Sequence, residues 1–265
     1  MASFTGNSIK DVYKDILHTS NSNSGIGSTI KQITCGDGDT TALYLSDRNL
    51  KTQPSTDTTT NTVIYDADGN ALLTVDSTND LVKAAIGQHT VNTQYAHFGV
   101  GSGDSVWAGA SLGTHYAVPF NSLTTQALVG GGTGTDPSTS FTVATTGDDM
   151  VGVLWYVMDD MTIDRVIWWH GGDASGADTT RAHLVSYTIV TTSGSTSADL
   201  SSGAVIYEGS DVSNAGYEQA YYQQMSLKSG ASANIDAGKA MLFFFRSDSV
   251  NSDFSINATI KFHLR

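Results

Sequence analysis

The stretch Phe254-Ser255-Ile256-Asn257-Ala258-Thr259-Ile260-Lys261-Phe262-His263-Leu264 decides the fold class. Phe254, Ile256, Ala258, Ile260, Phe262 and Leu264 fall on one side of an extended chain. Ser255, Asn257, Thr259, Lys261 and His263 fall on the other. An unbroken period of two is the pattern of a β-strand with one face buried and one face wet. Working back from it, apolar runs at 140–145, 151–158, 162–170, 181–191, 204–208, 222–228 and 240–246 predict seven further strands, most of them bounded by Gly, Ser, Asn or Asp. Eight strands in this space suit two packed sheets, and the eight-stranded form of that architecture is the jelly roll. The expected fold class is therefore all-β, with a jelly-roll-like β-sandwich over 137–265.

Further upstream the pattern thins. Gly130-Gly131-Gly132-Thr133-Gly134, ending at Asp136-Pro137, predicts a linker and a domain boundary, with 101–136 as a Gly-rich connector. Short apolar runs at 30–35, 42–46, 62–65, 71–75 and 81–86 alternate with turn sequences such as Asp66-Ala67-Asp68-Gly69-Asn70. They predict a β-hairpin, fibre-like region over 25–100. Small hairpins have too little apolar face to stand alone, so this region is expected to complete its core with neighbouring copies of the chain.

Residues 1–24 read as an anchor and its tether. Asn7 or Ser8 can cap a helix over 7–18, with Asp11 in a capping-box-like place. Ile9, Val12, Tyr13, Ile16 and Leu17 recur at helical spacing along one face. A helix this short is marginal alone and is expected to dock on a partner through those five residues. The polar Ser/Asn/Gly stretch at 20–27 predicts a flexible tether.

Composition narrows the function. The chain has 265 residues and a formal charge of −13, and residues 84–227 carry only Arg165 and Arg181 against thirteen acids. Nucleic acid is not an expected partner, because phosphate contacts need clustered Lys and Arg. An anionic membrane surface is excluded on the same ground. Hydrophobic residues at 39% and aromatics at 9% are too many for a disordered polymer. Cys35 is the single cysteine, which rules out an intrachain disulfide and argues against a cysteine zinc site. No N-terminal run has the charge and apolar core of a signal peptide, so synthesis in the cytosol without secretion is expected.

Catalytic chemistry finds little footing. Gly109-Ala110-Ser111-Leu112-Gly113 matches the G-x-S-x-G string, but a nucleophile elbow needs a helix after its serine, and Thr114-His115-Tyr116-Ala117-Val118-Pro119 does not open one. Asp66-x-Asp68-Gly69-Asn70 starts like a calcium loop, yet an EF-hand's Gly and Glu positions hold Ala71 and Ser77, so it reads as a hairpin turn. His170, Asp173, Asp178 and His183 flank one loop without a metal-ligand spacing and read as solvated polar residues. Asp148-Asp149 and Asp159-Asp160 are adjacent pairs at turns, unsuited to facing carboxylate catalysis. The expectation is no catalytic residue, no metal and no cofactor.

Aromatics carry the remaining signal. Neighbours on a strand face opposite ways, so Trp168-Trp169 and Tyr221-Tyr222 cannot all lie in one core. Trp168, Trp169, Tyr221 and Tyr222 are the candidates for a subunit or glycan contact.

Four motifs remain: Tyr13-Lys14-Asp15-Ile16-Leu17-His18 with Asn21-Ser22-Asn23-Ser24-Gly25, Gly36-Asp37-Gly38-Asp39-Thr40-Thr41-Ala42-Leu43-Tyr44-Leu45-Ser46, Asp68-Gly69-Asn70-Ala71-Leu72-Leu73-Thr74-Val75-Asp76, and Ile235-Asp236-Ala237-Gly238-Lys239-Ala240. They resemble stretches of tailed-bacteriophage virion structural proteins of the capsid-decorating or head-fibre type. The resemblance implies a homotrimer that binds the major capsid protein through its N-terminal part and projects a β-sandwich from the virion, assembled in the host cytoplasm. The runner-up is a receptor-binding tail fibre or adhesin that recognises host surface glycans, with the same architecture and a different mounting point.

Overall fold

The computed structural model describes residues 17–19, 25–85, 87, 89–101, 111, 113–121, 129–142, 147–172, 179–190, 199–213, 219–248 and 254–265. The chain is all-β in character and divides into two compact units, Met1–Val91 and Asn92–Arg265.

The first unit holds two four-stranded antiparallel meanders. One runs β1 (His18–Thr19), β2 (Lys31–Thr34), β3 (Thr40–Leu45) and β4 (Leu50–Thr52). The other runs β5 (Thr62–Tyr65), β6 (Ala71–Asp76), β7 (Leu81–Ala84) and β8 (His89–Thr90). Aspartates build the turns of the second meander. Asp66 accepts the Asp68 and Asn70 amides on Oδ1 at 3.0 and 2.7 Å and the Asn70 side chain on Oδ2 at 2.9 Å. Gly69 supplies the left-handed residue, with φ of 83°. Asp76 repeats the device with Thr78 and Asn79 and adds Lys83 Nζ at 2.8 Å. Both carboxylates are occupied by the turns they close, which explains the calcium-like spelling at 66–70 as turn chemistry.

The expected helix over 7–18 is corrected at its C-terminal end. His18 pairs with Thr34 in β1–β2, and Leu17 before it is non-helical and exposed. Strand pairing with β2 satisfies backbone groups that an isolated short helix leaves open. Ile9, Val12, Tyr13 and Ile16 lie outside the described residues.

The second unit contains β9 (Thr93–Val100), β10 (His115–Ala117), α1 (Gly147–Val153), β11 (Trp155–Tyr156), β12 (Met161–Gly172), β13 (Thr179–Val190), β14 (Asp199–Glu208), β15 (Val212–Ser213), β16 (Gln219–Gln224), β17 (Ser226–Leu227), β18 (Asn234–Ile235), β19 (Lys239–Ser247) and β20 (Phe254–Leu264). A seven-stranded sheet follows the order β10-β19-β13-β14-β17, with β11 on β19 and β15 on β13. A five-stranded sheet follows β16-β12-β20-β9, with β18 on β12. The two sheets pack face to face: Phe98 meets Phe243 at 5.9 Å, Trp168 meets Phe245 at 5.9 Å and Trp155 meets Phe262 at 5.1 Å between ring centroids. Each such buried side chain contributes roughly 1.5–3 kcal/mol of transfer free energy.

The seven-stranded sheet is buried on both sides. In β19, Met241, Phe243 and Phe245 join the core between the sheets, while Ala240, Leu242 and Phe244 join a second core on the opposite face. That second core is covered by Val129 and by Met150 and Val153 of α1. Three expectations are corrected here. The segment 151–153 is helix, not strand: Met150 and Val153 are buried one turn apart, and Val151 between them is 73% exposed. The domain boundary lies at Val91/Asn92, not at the glycine run, because β9 pairs with β20 along eight residues and belongs to the sandwich. The glycine run is a covering strap, not a linker. A Cβ on Gly131 would sit 2.5 Å from the Phe244 ring, so only glycine lets the strap lie on the sheet.

Candidate ligand surface on the five-stranded sheet

The outer face of the five-stranded sheet follows from the pairing register. Tyr222, Trp169, Asn257 and Gly99 lie side by side across β16, β12, β20 and β9. Toward the strand ends the next row is Ala220, Gly171 and Ser255. In the opposite direction come Gln224, Ile167, Thr259 and His97, then Arg165, Lys261 and Tyr95. Trp169 is 50% exposed and Tyr222 52%, with ring centroids 4.9 Å apart. Beside Trp169 the small residues leave a cleft of about 440 Å³ whose lining includes Gly99, Gly101, Gly171, Ala220, Ser255 and Asn257.

Directly beneath this face His170 belongs to the core. Its ring stacks between Trp168 at 4.7 Å and Tyr221 at 5.0 Å, and Nε2 lies 3.2 Å from Thr180 Oγ1. Burial pushes its pKa down to about 4, so the imidazole is neutral at neutral pH. Among the described residues its lining presents an indole plane, an amide and a hydroxyl, with no carboxylate and no cation. That set suits a neutral polar ligand with a flat apolar face and edge hydroxyls, as a pyranose has.

The residues singled out from the sequence scatter. Trp169 and Tyr222 share the outer face. Trp168 is buried to 1%, its indole N–H donating to Gln223 Oε1 at 3.1 Å, and Tyr221 turns inward onto His170, so neither belongs to the surface. His170 and His183 lie in different sheets and form no common loop site; Asp173 and Asp178 lie outside the described residues. Ser111 leads through a turn closed by the Thr114 amide on its carbonyl, with Gly113 at φ of 66°, into strand β10. Among the described residues no helix follows it, whereas a nucleophile elbow needs one after its serine. Asp160 accepts the Ala237 amide at 2.8 Å, a turn contact. Asn257, Gly99 and Ser255 were not reached from sequence. Alternation marks Asn257 as outward-facing, but the register that sets it beside Trp169 is a long-range property.

Among the described residues no helix is long and apolar enough to cross a membrane. Compared with known proteins, the chain matches no family model and no curated protein.

Proposed function

We propose that this chain is a non-enzymatic structural protein of a phage virion, a homotrimeric capsid-decorating or head-fibre protein. It grips the major capsid protein through its N-terminal part, with Ile9, Val12, Tyr13, Ile16 and Leu17 as the contact residues, and displays a jelly-roll-like sandwich. One observation carries the reading. Among the described residues of the first unit, Ile33 is the one apolar side chain that is buried, while Ile64 and Val82 are exposed. Ile64, Leu73, Val75, Val82 and Ala84 share one face of the β5–β6–β7 meander by register. A folded meander with its apolar face open is a segment that takes its core from other chains, as a fibre does.

The test is light scattering on the full chain, followed by image reconstruction of particles. A trimer, placed as three-fold protrusions on the shell, is the expected result, and deleting residues 1–20 should strip it from particles. A monomer at high concentration, or full occupancy after the deletion, overturns the assignment.

The Trp169–Tyr222 face favours a second reading, a tail-mounted adhesin for host surface glycans. Density confined to the tail, with a saturable glycan-array signal lost in Trp169→Ala, would replace the first reading by this one.

A further inference from the structure

On the other side of the sandwich four polar residues from separate segments meet. Asp136 comes from the strap, His183 from β13, Glu208 from β14 and Lys228 from just beyond β17. His183 and Glu208 are direct cross-strand partners. One ligand atom each from Asp136, His183 and Glu208 lie within 4.8 Å of one another.

Two independent features point to a cation here. First, the two carboxylates already converge on one: Lys228 Nζ sits 2.7 and 2.6 Å from the Asp136 oxygens and 3.4 Å from Glu208 Oε2. Second, His183 is fully buried, and among the described residues neither ring nitrogen has a hydrogen-bond partner; Nε2 stands 3.8 Å from Asp136 Oδ1. Buried polar groups in native proteins are almost always satisfied, so a doubly orphaned imidazole beside two carboxylates calls for an explanation. The lysine cannot fully provide it, since its ammonium is spent on the carboxylates and brings one positive charge to two negative ones. Arg181 nearby is engaged by Asp211 at 2.6 Å.

We infer that Asp136, His183 and Glu208 form a binding site for a divalent transition-metal ion, zinc being the best fit, with the Lys228 ammonium as the competing occupant. One imidazole nitrogen and two carboxylate oxygens suit zinc better than calcium or magnesium, which take oxygen ligands. Metal–ligand bonds of about 2.0–2.2 Å in tetrahedral geometry set ligand atoms roughly 3.3 Å apart. The His183–Asp136 pair at 3.8 Å must therefore close by about half an ångström, and pairs as wide as 4.8 Å by up to about 1.5 Å, a movement within reach of the carboxylate side chains. Lys228 is 29% exposed on a flexible stem and can swing to solvent, leaving two carboxylates balanced by a divalent ion. Bound metal would clamp the strap to β13 and β14.

The experiment is calorimetric titration of chelator-treated full-length protein with zinc chloride, repeated with cobalt(II) and its visible absorption. One ion per chain is expected. His183→Gln and Asp136→Asn should each weaken binding at least about tenfold, and Lys228→Met should tighten it by a similar factor by removing the competitor. If His183→Gln does not fold, Glu208→Gln, at the rim, gives the same comparison. No saturable binding in either the native chain or Lys228→Met overturns the site. So does binding that is unchanged across these variants, since the ion would then sit elsewhere on the acidic surface.

Discussion

Trp168 and Trp169 are consecutive residues of β12 that end on opposite sides of the five-stranded sheet. Trp168 is buried against Phe245 and His170, and Trp169 is half-exposed beside Tyr222. The pleat alone makes this division. It puts one of two adjacent side chains in the core and leaves the other open to solvent.

Their alanine variants should therefore behave oppositely. Trp168→Ala empties a core position and is expected to cost roughly 3–5 kcal/mol. Trp169→Ala should change stability by no more than about 1 kcal/mol, while abolishing any glycan signal of the intact protein. Urea melts and a glycan array on both variants check this. A Trp169→Ala protein that retains full glycan binding removes the outer face from consideration.

The glycine run gives a prediction whose sign decides between two structures. In a free linker, Gly131→Ala stabilises by about 0.4–1 kcal/mol through the unfolded chain. In the strap, the new methyl group meets the Phe244 ring at 2.5 Å, and overpacking is expected to cost about 1–3 kcal/mol. A denaturant titration of Gly131→Ala that shows a gain would return the segment to a linker.

What could be read from sequence follows from how many faces an element buries. Phe254–Leu264 was legible as a strand because Ile256, Ala258, Ile260 and Phe262 pack while Asn257 is exposed; His263, read as wet, is instead buried beside Asp164, with Nδ1 2.9 Å from Oδ1. Phe243-Phe244-Phe245 announced a strand but not its place, since burial on both faces erases the alternation. Val151-Gly152-Val153 has strand-like composition, and its helix is imposed by tertiary contacts of Met150 and Val153 with the outer core. The run at 130–134 looked like a tether because Gly freedom and Gly smallness are spelled alike. Trp169 could be put forward as a surface residue, whereas its neighbours Asn257 and Gly99 arrive from β20 and β9 by register alone.

Acid should weaken the sandwich through His170. Its pKa is about 4 in the folded chain against 6.5 when free, because burial disfavours the charged ring. Above 6.5 neither state carries the proton, and stability does not depend on this group. As pH falls from 6.5 toward 4 the unfolded chain takes up a proton that the folded chain refuses, so stability is lost, by up to about 1.4 kcal/mol per pH unit. His115 and His183 are shifted downward by burial as well and add to the slope. Replacing His170 by Phe keeps a ring in the stack and should remove one proton from the slope of urea stability against pH. An unchanged slope would mean that His170 titrates as in the unfolded chain.

The open face of the first unit supplies the last prediction. Val82 lies across from Val75, beside Leu73 and Ile64, and is 38% exposed, so an aspartate there is tolerable in a lone meander. At a shared core the same carboxylate would be buried without a partner, and every copy would bring one, so desolvation and mutual repulsion both oppose assembly. Val82→Asp should therefore leave the strand content and the melting of the sandwich near native, yet shift the mass in light scattering from three chains of 27.9 kDa to one. Leu72→Asp, on the opposite face of β6, is the matched control and should keep the assembly. If Val82→Asp assembles as the native chain does, this face does not hold copies together, and the contact between chains must be sought in the second unit.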